Sequence, residues 1–257
     1  MRMAAPIAGL LLSCAIAAAQ PPAGAQPPVG AQPPAKAQPP AKAQPPTAAQ
    51  PPAKAQPPTA AQPPASAPPA AETLQFAIMR NGEQIGTHRI ELRRTGKETS
   101  VNVETNVEVK VLFVTAYRFQ HTATERWLSG HLVALDSETD DNGTQHKLTA
   151  ALKGAALEVD ADGKAVQVDK NIIPASLWNP ELVRQSVMLD TQSGQVTPIS
   201  VVDGGSEEVT VESGPAPAHR YTIKGKFSQD VWYDSRGRLV QSQLVAKDGS
   251  VITYKLI

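Results

Sequence analysis

A single cysteine, Cys14, stands in 257 residues, so the chain can form no internal disulfide and its fold must rest on burial alone. Beyond that position there is no thiol to serve as a nucleophile. The patterns GxSxG, GxGxxG and the phosphate-binding P-loop are missing, and so are HExxH and HxxxH. No apolar run reaches the ~20 residues that a membrane-spanning helix needs. Nor is there an acidic residue before Glu72, which divides the chain into unlike parts.

The first part, residues 1–19, reads as a signal peptide. Arg2 supplies a positive end, Ala4 to Ile16 is apolar, and Ala17-Ala18-Ala19 fits the small-residue cleavage rule. Leu11-Leu12-Ser13-Cys14 is also similar to a bacterial lipobox, in which the cysteine is acylated and becomes the mature N-terminus. Both cut sites stay open, and with them lipidation at Cys14. Either one predicts export.

Residues 20–71 are a spacer. The hexapeptide QPPxxA occurs eight times from Gln20 to Ala67, and 18 of the 24 prolines fall between Gln20 and Ala71. Without aromatic or acidic residues, and with Val29 as its one β-branched aliphatic, the segment cannot bury enough surface to offset its ordering entropy. Disorder with polyproline II character is expected, and the repeat of residues 20–67 could reach at most roughly 150 Å at ~3.1 Å per residue. Lys36, Lys42 and Lys54 add weak positive charge that an anionic cell-wall polymer or lipid could meet, although isolated charges are largely screened.

Residues 72–257 form the predicted globular domain. All 24 acidic residues lie here against 20 basic ones, a formal charge of −4, which argues against a nucleic-acid partner. Hydrophobicity alternates with period two: from Val101 to Val111 every odd position is apolar or Thr and every even one polar, the pattern of a half-buried strand. Asn81-Gly82, Asn142-Gly143, Asp162-Gly163 and similar pairs punctuate these runs as hairpin turns. The expected fold is all-β and mainly antiparallel, ten to twelve strands in a single curled meander sheet of half-barrel or barrel-like form.

One stretch departs from that period. Asn179-Pro180-Glu181 combines a capping acceptor, a first-turn proline and an early acid, and Leu182, Val183 and Val187 then recur at three-to-four spacing. This predicts a short helix of two to three turns, entered at Trp178 and packed on the concave face of the sheet. A hollow capped in this way would be lined by Trp178, Leu182, Phe119, Val107 and His88.

Four segments carry a resemblance: Arg80 to Arg89 (RNGEQIGTHR), Trp178-Asn179-Pro180, Leu189-Asp190-Thr191-Gln192-x-Gly194, and Val231-Trp232-Tyr233-Asp234-x-x-Gly237-Arg238-Leu239-Val240. In this order they resemble the uncharacterised bacterial exported family known as domain of unknown function 6134. That resemblance spans residues 72–257 and implies a periplasmic or cell-surface location in a Gram-negative bacterium, with no assigned activity. By architecture alone the layout also resembles lipoprotein carriers of the LolA and LolB type, whose curled sheet encloses an apolar cavity.

His88, His121 and His146 each share the parity of the apolar residues of their strands, and Glu125 shares that of His121. Converging histidines could hold a metal or exchange protons, while satisfied histidines near strand ends are the commoner arrangement. Glu138-x-Asp140-x-Asn142-Gly143 approaches a calcium loop but lacks the first Asp and the bidentate Glu, so a hairpin turn is expected. Asp190-Thr191-Gln192 reads as a backbone-satisfying junction. No cofactor is implied. Three functions follow: a non-enzymatic module for a lipid or other apolar ligand, a structural or protein-interaction domain of the envelope, and, requiring converging histidines, a hydrolase or metal-binding protein.

Overall fold

A computed structural model describes residues 70–111 and 114–257. The expected signal peptide, Cys14 and nearly all of the expected spacer lie outside the described residues. The first strand begins at Ala70, two residues ahead of the boundary expected from composition.

The described chain is a mainly antiparallel all-β fold. Its first meander runs through β1 (Ala70–Arg80), β2 (Glu83–Thr95), β3 (Glu98–Val111), β4 (Val114–Leu128), β5 (His131–Asp141), β6 (Thr144–Lys153), β7 (Ala156–Ala161) and β8 (Lys164–Asp169). After an inserted segment holding β9 (Val187–Leu189) and β10 (Val196–Pro198), a second meander follows: β11 (Ser200–Val211), β12 (Gly214–Lys224), β13 (Ser228–Tyr233), β14 (Leu239–Val245) and β15 (Val251–Leu256). Thirteen of these strands form one curled sheet in the order β11-β12-β13-β14-β15-β1-β2-β3-β4-β5-β6-β7-β8. The single curled sheet is as expected, and within it two runs of sequential strands are joined where β1 pairs β15, Ile78 opposite Tyr254. The sheet does not close, and β8 and β11 are its free edges.

Alternation sets the faces. In β4, Tyr117, Phe119, His121, Ala123, Glu125 and Trp127 are buried while the residues between them are half-buried or exposed. Val101, Val103, Thr105, Val107 and Val109 do the same in β3. These inward rows make one core together with Phe76, Ile78, Ile90, Leu135 and Leu148, each fully buried aliphatic or aromatic side chain contributing about 1.5–3 kcal/mol. A second, smaller cluster lies on the other face. Beyond a register break at Asp203/Gly205, Val209 and Val211 pack with Trp232 and Val240, and the Trp232 indole donates to Glu207 at 2.5 Å.

Segment 170–199 is an insert packed into the main core. Ile172, Ile173, Ala175, Leu182, Met188 and Leu189 are all buried in it. The helix expected to run two to three turns is a single 3₁₀ element, Pro180–Arg184. Its start is as read, with Asn179 Oδ1 accepting from Glu181 N at 3.1 Å. Its end comes early because Gln185 is extended, with φ −91° and ψ 155°, and Val187 to Leu189 pair as β9 with Val196 to Pro198. Backbone pairing of Val187 to Leu189 with a neighbouring strand takes the place of the further helical turns. Among the described residues, no helix is long and apolar enough to cross a membrane.

Candidate functional site

Two adjacent spaces, one inside the curl and one at its rim, are divided by residues 175–180 of the inserted segment.

The inner cavity measures about 70 Å³. Apolar side chains such as Val103, Phe119 and Leu239 line it beside a belt of polar ones: His88, Thr105, His121, Gln229, Ser242 and Tyr254. Strand register explains part of the belt. His88, Thr105, His121, Thr139 and His146 stand opposite one another across five consecutive strands. His88 Nδ1 is hydrogen-bonded to Thr105 Oγ1 at 2.7 Å, and His121 Nδ1 to Thr139 Oγ1 at 2.8 Å. Gln229 Nε2 donates to Ser242 Oγ at 2.7 Å, and the Tyr254 ring meets His88 edge-on.

Burial, reinforced by the neighbouring His121, lowers the His88 pKa to about 3, and burial lowers that of His121 to about 4. Both imidazoles are therefore neutral near pH 7 and too weakly basic for efficient proton abstraction there. His146 does not join them. It shares their parity but lies near the strand end, half-exposed, with Nδ1 2.8 Å from Asp162 Oδ2. Among the described residues, no group of three or more His, Cys, Asp or Glu side chains is placed to hold a metal.

The outer groove measures about 430 Å³. Leu74, Leu92 and Trp178 line its apolar part, and Arg94, Arg236 and Arg238 its charged part. Trp178 is fixed from behind: its Nε1 and that of Trp127 both donate to Glu125 Oε2 at 2.8 Å, and the two indoles meet at 90° with centroids 5.3 Å apart. Glu125 is fully buried, and burial pushes its carboxyl above the usual range against the pull of hydrogen bonds from Ser176, Trp178 and Trp127. On the facing turn, Asp234 Oδ1 accepts from Arg236 N and Arg238 N, and its Oδ2 from Arg238 Nε at 2.7 Å. Gly237 takes a φ of +74° there, where a Cβ would sit 3.1 Å from Pro180 Cγ.

Ala175, Ser176 and Leu177 face the cavity, whereas Trp178, Asn179 and Pro180 face the groove. The partition is strained. Leu177 has a φ of +64°, a left-handed conformation that costs a bulky residue about 1–3 kcal/mol. Its carbonyl is held by the Tyr233 hydroxyl at 2.8 Å.

The expected cavity residues thus separate. His88 and Phe119 line the inner cavity, and Trp178 the groove. Leu182 is wholly buried among core side chains and lines neither space. Val107 belongs to the core and flanks a different, open cleft by the β1–β2 turn. Asp190 has the junction role expected, its Oδ1 accepting from Gln192 N and Ser193 N, yet Thr191 and Gln192 also face the cavity. Asn142-Gly143 is a hairpin turn with Gly143 N donating to Asp140 Oδ1 at 2.7 Å. Sequence reasoning missed Tyr254, Ser242 and Gln229, whose inward parity was readable, and the three arginines, whose convergence was not.

The chain is similar in fold to the crystal structure of a beta-barrel-like protein of domain of unknown function DUF1849 from Brucella abortus, at 11% identity and a TM-score of 0.54, over 72% of this chain and 94% of that one. That likeness is one of fold. No curated protein matches the sequence. The family profile described as domain of unknown function (DUF6134) matches residues 76–257, a span that takes in the belt, the inserted segment and most of the groove, and the chain belongs to that family.

Proposed function

We propose that the domain is a non-enzymatic binding module for an apolar ligand such as a lipid or acyl chain, displayed in the bacterial envelope on its proline-rich spacer. The observation that supports this is the arrangement at Trp178. A groove within the ~300–1,000 Å³ range of ligand pockets is parted from an unfilled interior space by one strained turn at Leu177. The inner cavity alone is too small for an acyl chain. In this reading the ligand lies first in the groove, and a swing of the Leu177-Trp178 turn joins groove to interior.

Native mass spectrometry and organic extraction of the purified protein test it. A co-purifying apolar molecule, diminished in Trp178→Ala, is the expected result; repeatedly empty preparations from cells with intact envelopes would overturn it.

The free edges favour a second reading, a structural or protein-interaction domain. β8 and β11 each present an unpaired row of backbone groups, with Val166 and Val202 exposed along them, and such edges accept an added strand. Cross-linking of a partner to β8 or β11, with the groove empty, would establish this reading in place of the first.

A further inference from the structure

We infer that the groove at Trp178 selects its ligand by an anionic group, a carboxylate or phosphate joined to an apolar chain; this rests on the apolar-ligand reading above and specifies the chemistry of the other end of the molecule.

Charge and geometry both point this way. Three guanidiniums, Arg94, Arg236 and Arg238, face two carboxylates, Glu72 in the groove and Asp234 in the turn below it. One positive charge is left in excess. Nor is Glu72 a tight partner: it stands 3.4 Å from Arg94 and 3.8 Å from Arg238, long for charge-assisted hydrogen bonds of ~2.7–2.9 Å. An entering anion can displace it.

Arg238 is already oriented. Asp234 holds its Nε edge at 2.7 Å, so its terminal nitrogens are directed without further loss of rotamer freedom, and a guanidinium presents paired donors suited to carboxylate or phosphate oxygens. Leu74, Leu92 and the Trp178 indole supply an apolar surface within the same space. A purely apolar molecule would leave the arginines unused, and a bare anion would leave the leucines and the indole uncovered. An anionic amphiphile satisfies both.

The larger open cleft by the β1–β2 turn offers no such asymmetry. Its Arg80, Lys110 and Arg118 are matched by Glu83 and Glu108 in the cleft and by Asp248, which holds Arg80, and Lys110 already pairs with Glu108 at 2.9 Å.

Calorimetric titration of the purified full chain with dodecanoate, dodecanol and acetate tests the inference. Dodecanoate should bind about tenfold or more tightly than dodecanol, the scale expected of hydrogen bonds to a charged group, and acetate should bind far more weakly than either. The double variant Arg94→Gln/Arg236→Gln, which spares the Arg238–Asp234 turn and leaves Arg238 facing two carboxylates, should cut the preference for dodecanoate over dodecanol severalfold and leave dodecanol unchanged. Equal binding of dodecanoate and dodecanol by the wild type would overturn the anionic selection and leave the apolar-ligand reading standing. Acetate binding as tightly as dodecanoate would overturn the amphiphile in favour of a plain anion site. Failure of both twelve-carbon probes would remove the apolar-ligand reading itself.

Discussion

The Trp178 indole N–H donates to Glu125 Oε2 at 2.8 Å, across 53 residues of chain. This bond ties the inserted segment to β4 inside the core, and Trp127 donates to the same oxygen. Replacing Glu125 by Ala leaves one buried and one half-buried indole donor without their acceptor and should cost about 3 kcal/mol, read as a fall in the urea midpoint. Glu125→Gln keeps an acceptor and removes the titration. Because burial raises the folded-state pKa, the wild type loses stability as pH rises from the ordinary carboxylate range through that raised value. The Gln variant should lack this slope; identical slopes in both proteins would contradict the burial argument.

His88 and His121 act at the other end of the pH scale. Their folded-state pKa values of about 3 and about 4 lie below the unfolded value of 6.5, so the unfolded chain takes up protons first as pH falls. The stability they confer is complete above pH 6.5 and lost as pH drops toward 4 and then 3. For His121 alone the loss is ~3 kcal/mol when complete. Urea titrations at steps between pH 7 and pH 4 should show this decline, and His121→Gln should make it shallower.

Leu182 anchors the 3₁₀ turn in the core and is wholly buried. Leu182→Ala should cost about 2–5 kcal/mol. Limited proteolysis should then cut within residues 171–199 before it cuts the sheet.

Gly86 faces a bulge, with β1 and β2 changing register between Ile78 and Met79. A Cβ at Gly86 would lie 2.1 Å from the carbonyl oxygen of Asn106 on β3. Backbone cannot yield as a side chain can, so Gly86→Ala should destabilise by about 3 kcal/mol or more. Thermal melting tests it. A variant as stable as wild type would mean that β2 and β3 can move apart at no cost.

Much of the fold was legible because strand faces obey a local rule. The odd-numbered row from Val101 to Val109 is buried as its alternation requires, and Asn81, Asn142 and Asp162 adopt the positive φ that their turn pairs imply. The same rule reached its limit at His146. Parity assigns a side chain to a face but not to a depth along the strand, and this histidine ends at the wet rim. Likewise, Leu182, Val183 and Val187 fit a helical spacing over so few residues that a 3₁₀ turn followed by β9 satisfies it equally well.

Inward-facing parity and the positions of the turns could be read from the amino acids alone, because both depend on neighbours within a few residues. Tertiary structure alone decided that β1 joins two meanders, that Trp178 and Trp127 share one carboxylate, and that Arg94 meets Arg236 and Arg238. These pairings join residues distant in sequence, and no periodicity encodes them: they follow from how far the sheet curls before its edges stop pairing and from the space left for the inserted segment.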